Sequence, residues 1–151
     1  MPNKYQTTWI LIADGNRARI VKNDGPGLGI DAVDDQLYER EHHKTSDIMA
    51  DRPGRSFDSA GSGRHAMEYS TDPERVEQRE FARTLVEALE AAHRKDAFRQ
   101  LVIVAPPQML GDLRAELTDG LKTLVHAEVN KDLTHVPNGD LAVHLDGVLT
   151  L

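Results

Sequence analysis

Two short runs of consecutive apolar residues, Thr8 to Ala13 (TWILIA) and Leu101 to Ala105 (LVIVA), interrupt an otherwise polar chain. A strand covered on one face alternates apolar and polar positions. One covered on both faces stays apolar throughout, so these two runs are expected at the centre of a sheet. After the first run, Asp14-Gly15-Asn16 has turn chemistry suited to positive φ, and Ala18 to Lys22 (ARIVK) resumes as a strand, which predicts a β-hairpin. Asn23 to Asp35 is a Gly- and Asp-rich connection, and Gln36 to Glu41 (QLYERE) reads as a third strand with a polar, edge-like character. Periodicity of either kind is then lost over Lys44 to Asp72.

It returns at Asp72-Pro73, which supplies an N-cap and a first helical position. From Glu74 to about Lys95, the residues Phe81, Ala82, Leu85, Val86, Leu89 and Ala92 form one stripe. Glu77, Arg79, Arg83, Glu87 and Glu90 are expected to face solvent. Pro106-Pro107 ends the second apolar strand and opens a helix carrying Met109, Leu110, Leu113 and Leu117, closed near Asp119-Gly120. Val125 to Asn130 alternates, with Val125, Ala127 and Val129 on one side and His126, Glu128 and Asn130 on the other. A turn at Val136-Pro137-Asn138 introduces a last helix in which Leu141, Leu145, Val148 and Leu149 share a face.

Three locally joined strands followed by helix–strand–helix–strand–helix predict an α/β fold: a mixed five-stranded sheet with flanking helices. The 151 residues are read as a single domain, 1–151, with a long flexible loop over 44–72. A connection of that length is uncommon in a compact domain unless it is functional or disordered. Between Arg52 and His65 it carries Arg52, Arg55 and Arg64 against the single acid Asp58, in a chain of net charge −7. An acidic body argues against nucleic-acid binding over the whole surface, so any RNA contact is expected to be local. There is no cysteine, hence no disulfide frame, thiolate nucleophile or Cys-based metal site. The longest apolar run is too short to span a membrane, and the amino terminus lacks signal-peptide character, so a cytoplasmic protein without membrane contact is expected.

Several stretches together, IADGNRARI, DRPGRSFDS, GSGRHAME, EFARTLVEAL, LVIVAPPQMLGDLR and VNKDLTHVP, resemble the bacterial host attachment protein family over essentially the whole chain and in order. That family is similar to the middle domain of the archaeo-eukaryotic class-1 release factors and the Pelota-like rescue factors. The resemblance implies a ribonuclease H-like mixed sheet. In release factors the long connection after the third strand carries a GGQ tripeptide that enters the peptidyl-transferase centre. Here the corresponding segment has no Gln, and its nearest glycine cluster is Gly61-Ser62-Gly63 followed by Arg64. A non-catalytic module is therefore expected, in which Arg52, Arg55, Arg64 and His65 meet ribosomal RNA or tRNA through phosphate contacts.

The residues themselves admit other chemistry. Asp14-Gly15-Asn16-Arg17 fits a hairpin turn, and it also fits a metal-binding or phosphate-cradling turn. A metal-dependent nuclease needs further carboxylates, and the strand ending in Ala105-Pro106-Pro107 offers none. Gly25-Pro26-Gly27-Leu28-Gly29 fails as a dinucleotide fingerprint, because Ile30 stands where a third Gly is needed and no helix follows. His42-His43 fall on opposite faces of a strand and no HxH or HExxH spacing occurs, so neither a metal set nor a cofactor is expected. Ser59 and Ser62 become nucleophile candidates only in an ordered loop. Lys131-Asp132, after the last strand, lies where open α/β sheets often bind ligands. The alternatives are a hydrolase working through Asp14 or the loop, and a protein-interaction module, monomeric or a homodimer through the Gln36–Glu41 edge.

Overall fold

The computed structural model describes residues 7–40 and 72–151. Its strands are β1 (Thr8–Ala13), β2 (Arg17–Asn23), β3 (Asp31–Glu39), β4 (Gln100–Val104) and β5 (Val125–Val129). They form one mixed sheet in the order β3-β2-β1-β4-β5. β1 pairs antiparallel with β2, and β2 with β3, while β1–β4 and β4–β5 are parallel. The carboxyl ends of β1, β3, β4 and β5 therefore share one end of the sheet with the amino end of β2.

Every residue of β1 is buried, as expected of a strand covered twice. Trp9, Leu11 and Ala13, with Leu101 and Ile103, join one core with α1 (Pro73–Arg94) and α2 (Pro107–Glu116). Ile10, Ile12, Val102 and Val104 join a second core on the opposite face with Leu133, Leu141 and Leu145. Alternate residues of one strand thus feed two cores, which makes β1 and β4 the shared middle layer.

Helix α1 begins as its sequence predicts: Asp72 accepts from the Glu74 N–H at 3.0 Å and Pro73 occupies the first turn. Phe81, Ala82, Leu85, Val86 and Leu89 are buried; burial of a Val, Leu or Phe side chain contributes roughly 1.5–3 kcal/mol. The helix ends with Asp96 at φ 57, a left-handed position that usually holds Gly. Replacing Asp96 by Gly is expected to raise stability by about 0.5 kcal/mol, read as a higher urea midpoint at unchanged slope. A lower midpoint would mean that the Asp side chain stabilises this cap.

Several boundaries depart from the sequence expectation. β3 starts at Asp31 rather than Gln36, and its pairing with β2 is irregular between Ala32 and Leu37, where Asp35 has φ 62. The helix after Pro106-Pro107 stops at Glu116, because Leu117 turns extended and Thr118 caps a separate turn of helix, α3 (Asp119–Lys122). The β4–β5 register shifts between Leu101 and Val102. Val125 accordingly packs with the first core and Val129 with the second, not on one side as simple alternation predicts. The last helix is short: a 3-10 turn (Asn138–Asp140) leads into α4 (Leu141–His144), and Gly147 at φ 82 ends the helical path. Val148 and Leu149 still pack against the second core. Among the described residues, no helix is long and apolar enough to cross a membrane.

Candidate functional site

The chemistry-bearing residues gather at the carboxyl end of the parallel strands. The β1–β2 turn is held by its own side chain: Asp14 Oδ1 accepts from the N–H groups of Asn16 (2.7 Å) and Arg17 (2.8 Å), and the Asp14 N–H donates to the Arg17 carbonyl at 2.9 Å. The positive φ expected here does not occur, since neither Gly15 nor Asn16 is among the left-handed positions. Gly15 is accommodated for another reason. A Cβ there would sit 3.1 Å from Gln78 Nε2, so the turn passes close under α1. Both of these turn amides are thus engaged by the Asp14 carboxylate. The Arg17 guanidinium, on an exposed residue, makes no ion pair among the described residues.

Arg40, directly after β3, ties this turn to α1. Its backbone N–H donates to the Asn16 carbonyl (2.7 Å), its Nε to the Gly15 carbonyl (2.9 Å) and its Nη2 to Asn16 Oδ1 (2.6 Å). Nη2 also reaches Glu74 (2.6 Å) and Nη1 reaches Glu77 (2.9 Å). The Arg40 side chain is only 6 % exposed, so Glu77, expected on a solvated face, is instead the partner of a buried cation. Beside it, Arg75 of α1 forms a two-pronged pair with Asp112 of α2 at 2.8 and 2.9 Å. That hydrogen bonding raises the Arg75 pKa above its ordinary value.

On the other side of the turn, the loop after β5 closes over the sheet. Thr134 is buried, and its Oγ1 lies 2.6 Å from Asp132 Oδ1 and 3.1 Å from Asp14 Oδ2. The Thr134 N–H also donates to Asp132 Oδ1 at 3.0 Å. Arg19, on β2, holds this loop from below: Nε donates to Asn138 Oδ1 (2.8 Å), Nη1 to the Thr134 carbonyl (2.9 Å), and Nη2 to the Val136 carbonyl. Burial lowers the Arg19 pKa, and the three acceptors offset that desolvation. One donor atom each from Asp14, Asp132 and His135 thereby comes within 4.8 Å of the others. No short-range spacing marks this set, because the first member lies far along the chain from the other two. The Lys131-Asp132 position, noted in the sequence for its place at the strand end, supplies one of the three.

An open groove of about 430 Å³ adjoins the cluster, lined by Arg17, Leu37, Tyr38 and Thr134 among others. Leu37 is 80 % exposed there, since α4 covers the middle of the sheet and leaves this part of β3 bare. The Tyr38 hydroxyl donates to Gln36 Oε1 at 2.5 Å, and burial raises its pKa. Arg52, Arg55, Arg64 and His65, with Ser59 and Ser62, lie outside the described residues.

Residues 9–145 match the profile of a family described as proteins required for attachment to host cells. The chain belongs to that family. An uncharacterized protein of Rickettsia prowazekii (strain Madrid E) is 31 % identical over 126 residues, spanning 82 % of this chain and 77 % of the relative. In this member of the host attachment family, the matched span includes the β1–β2 turn, Arg19, Arg40 and the Asp132–His135 loop.

Proposed function

We propose that this member of the host attachment family is a non-catalytic, release-factor-like binding module. Its segment 44–72 meets the phosphate backbone of ribosomal RNA or tRNA through Arg52, Arg55 and Arg64, with His65 beside them. The carrying observation is the Arg40 clamp. By joining the end of β3 to the first turns of α1 through Glu74 and Glu77, it holds the two ends of the intervening chain together at one end of a rigid sheet. Within that segment, the stretch Arg52 to His65, with three Arg against the single Asp58, is returned to a fixed base on an acidic body, which suits a local contact with a polyanion. The mixed sheet, with three parallel strands beside an antiparallel hairpin, supports the ribonuclease H-like, release-factor middle-domain reading of the fold. The missing GGQ tripeptide supports binding without peptidyl-tRNA hydrolysis. On this reading the protein acts in the cytoplasm, and attachment to host cells follows indirectly from a role at the ribosome.

It also acts as a monomer. The β3 edge exposes Asp31, Asp34, Asp35 and Glu39, which would repel the same edge of a second copy. The test is co-sedimentation with ribosomes at low salt, for the wild type and for the triple variant Arg52→Glu, Arg55→Glu, Arg64→Glu. The wild type is expected to pellet with ribosomes and to be released as salt rises, while the variant stays in the supernatant. A wild type that does not pellet, or a variant that pellets equally, removes the reading. Association that ignores nuclease treatment would favour a protein partner instead.

A further inference from the structure

Asp14, Asp132 and His135 form a mixed oxygen and nitrogen donor set rather than a patch of surface acids. Each carboxylate has one oxygen anchored by backbone N–H groups: Asp14 Oδ1 by Asn16 and Arg17, Asp132 Oδ1 by Thr134. The second oxygen of each is left for another partner. Thr134 Oγ1 approaches both residues, but a hydroxyl has a single proton and can satisfy only one of them at a time. The shorter contact is to Asp132, which leaves Asp14 Oδ2 short of a donor. Neither carboxylate has a Lys or Arg partner among the described residues, although both lie in a converging group with an imidazole.

We propose that these three side chains hold one divalent first-row cation of the manganese or zinc class, which in turn receives a phosphate oxygen from a ligand in the adjoining groove. Two carboxylates and one imidazole suit such an ion better than calcium or magnesium, which favour oxygen-only surroundings. Three protein donors leave coordination positions open, and the exposure of Asp132 and His135 places those positions toward solvent. The groove is lined by Thr134, whose Oγ1 contacts both carboxylates, and by the exposed Arg17, whose guanidinium suits a phosphate. The bare Leu37 beside it suits the apolar face of a base or ring attached to that phosphate. The backbone-anchored carboxylate oxygens and the Arg19 hold on the loop are the kind of outer support that orients metal ligands.

The experiment titrates the full chain with Mn²⁺ alone, following the electron paramagnetic resonance signal of free Mn²⁺ and the paramagnetic broadening of backbone amides. One saturable ion is expected, broadening Gly15–Arg17 and Lys131–His135 first. Asp132→Asn and His135→Ala change exposed side chains, so their circular dichroism should match the wild type, and each is expected to weaken Mn²⁺ at least tenfold. Inorganic phosphate is then titrated with and without Mn²⁺. It is expected to bind only with the ion present and to weaken several-fold in Arg17→Ala. No saturable Mn²⁺ binding, broadening centred elsewhere, or affinity indifferent to Asp132→Asn overturns the cation site. Phosphate that binds equally without Mn²⁺ overturns the ligand. Neither result involves Arg52, Arg55 or Arg64, so failure here is separable from failure of the ribosome reading.

Discussion

Arg40→Ala is expected to lower stability by about 3 kcal/mol, the largest loss from any single polar side chain at this site. The guanidinium is nearly inaccessible and meets two carboxylates, the Gly15 carbonyl and the Asn16 amide oxygen. Its removal leaves Glu74 and Glu77 facing each other without a cation and leaves a carbonyl without its donor. Glu74 and Glu77 keep 26 % and 32 % of their side-chain exposure, so water recovers part of the loss and the cost falls at the low end for broken buried pairs. The equivalent fall in melting temperature is on the order of 10 °C. Arg40→Lys should restore less than half, because an ammonium cannot fork between two acids and two turn acceptors. Urea unfolding of the three proteins measures both effects. A loss under about 1 kcal/mol for Arg40→Ala would mean that the clamp does not hold the base of the intervening segment.

Arg19→Ala is expected to cost about 2 kcal/mol, with the damage concentrated in one loop. Its three hydrogen bonds go to Thr134, Val136 and Asn138, so a single residue of β2 fixes the path of the chain after β5. Without it, two backbone carbonyls lose their donors and the loop bearing Asp132 and His135 loosens. Hydrogen exchange should quicken at Thr134 to Asn138 before it changes in β1 or α1. Arg19→Lys should behave much like the alanine variant, since one ammonium cannot reach three diverging acceptors. Uniform acceleration across the sheet, or none, would contradict this local role.

Both arginines show where reading the chain stops. As letters, Arg19 and Arg40 are polar positions in strand-like stretches, and nothing nearby in sequence marks what they bind. Their partners lie 115 and 34 residues away for the Thr134 carbonyl and Glu74 respectively. The Asp14, Asp132 and His135 convergence was hidden for the same reason. The one local signal was position: Asp14 and Asp132 each follow a strand whose carboxyl end lies at the same end of the sheet, which is where α/β folds collect ligands. Thr118 before Asp119 was a legible cap signal for α3 that the apolar pattern of the preceding helix obscured.

Burial preference is set by each residue and its near neighbours, and here it was enough to specify the elements. TWILIA and LVIVA had to be covered on both faces, the α1 stripe had to pack, and Asp72-Pro73 had to start a helix, because apolar surface and unpaired N–H groups are costly in water wherever they occur. Those local demands give an α/β protein with the doubly covered strands in the middle. They do not say which strand ends lie side by side, where the β4–β5 pairing slips to turn Val125 and Val129 toward different cores, or which buried cation finds which acid. Such contacts join residues far apart in the chain and exist only once the sheet has closed. The candidate site is built almost entirely from them, so its geometry belongs to the tertiary structure while the frame that carries it was already written in the hydrophobic pattern.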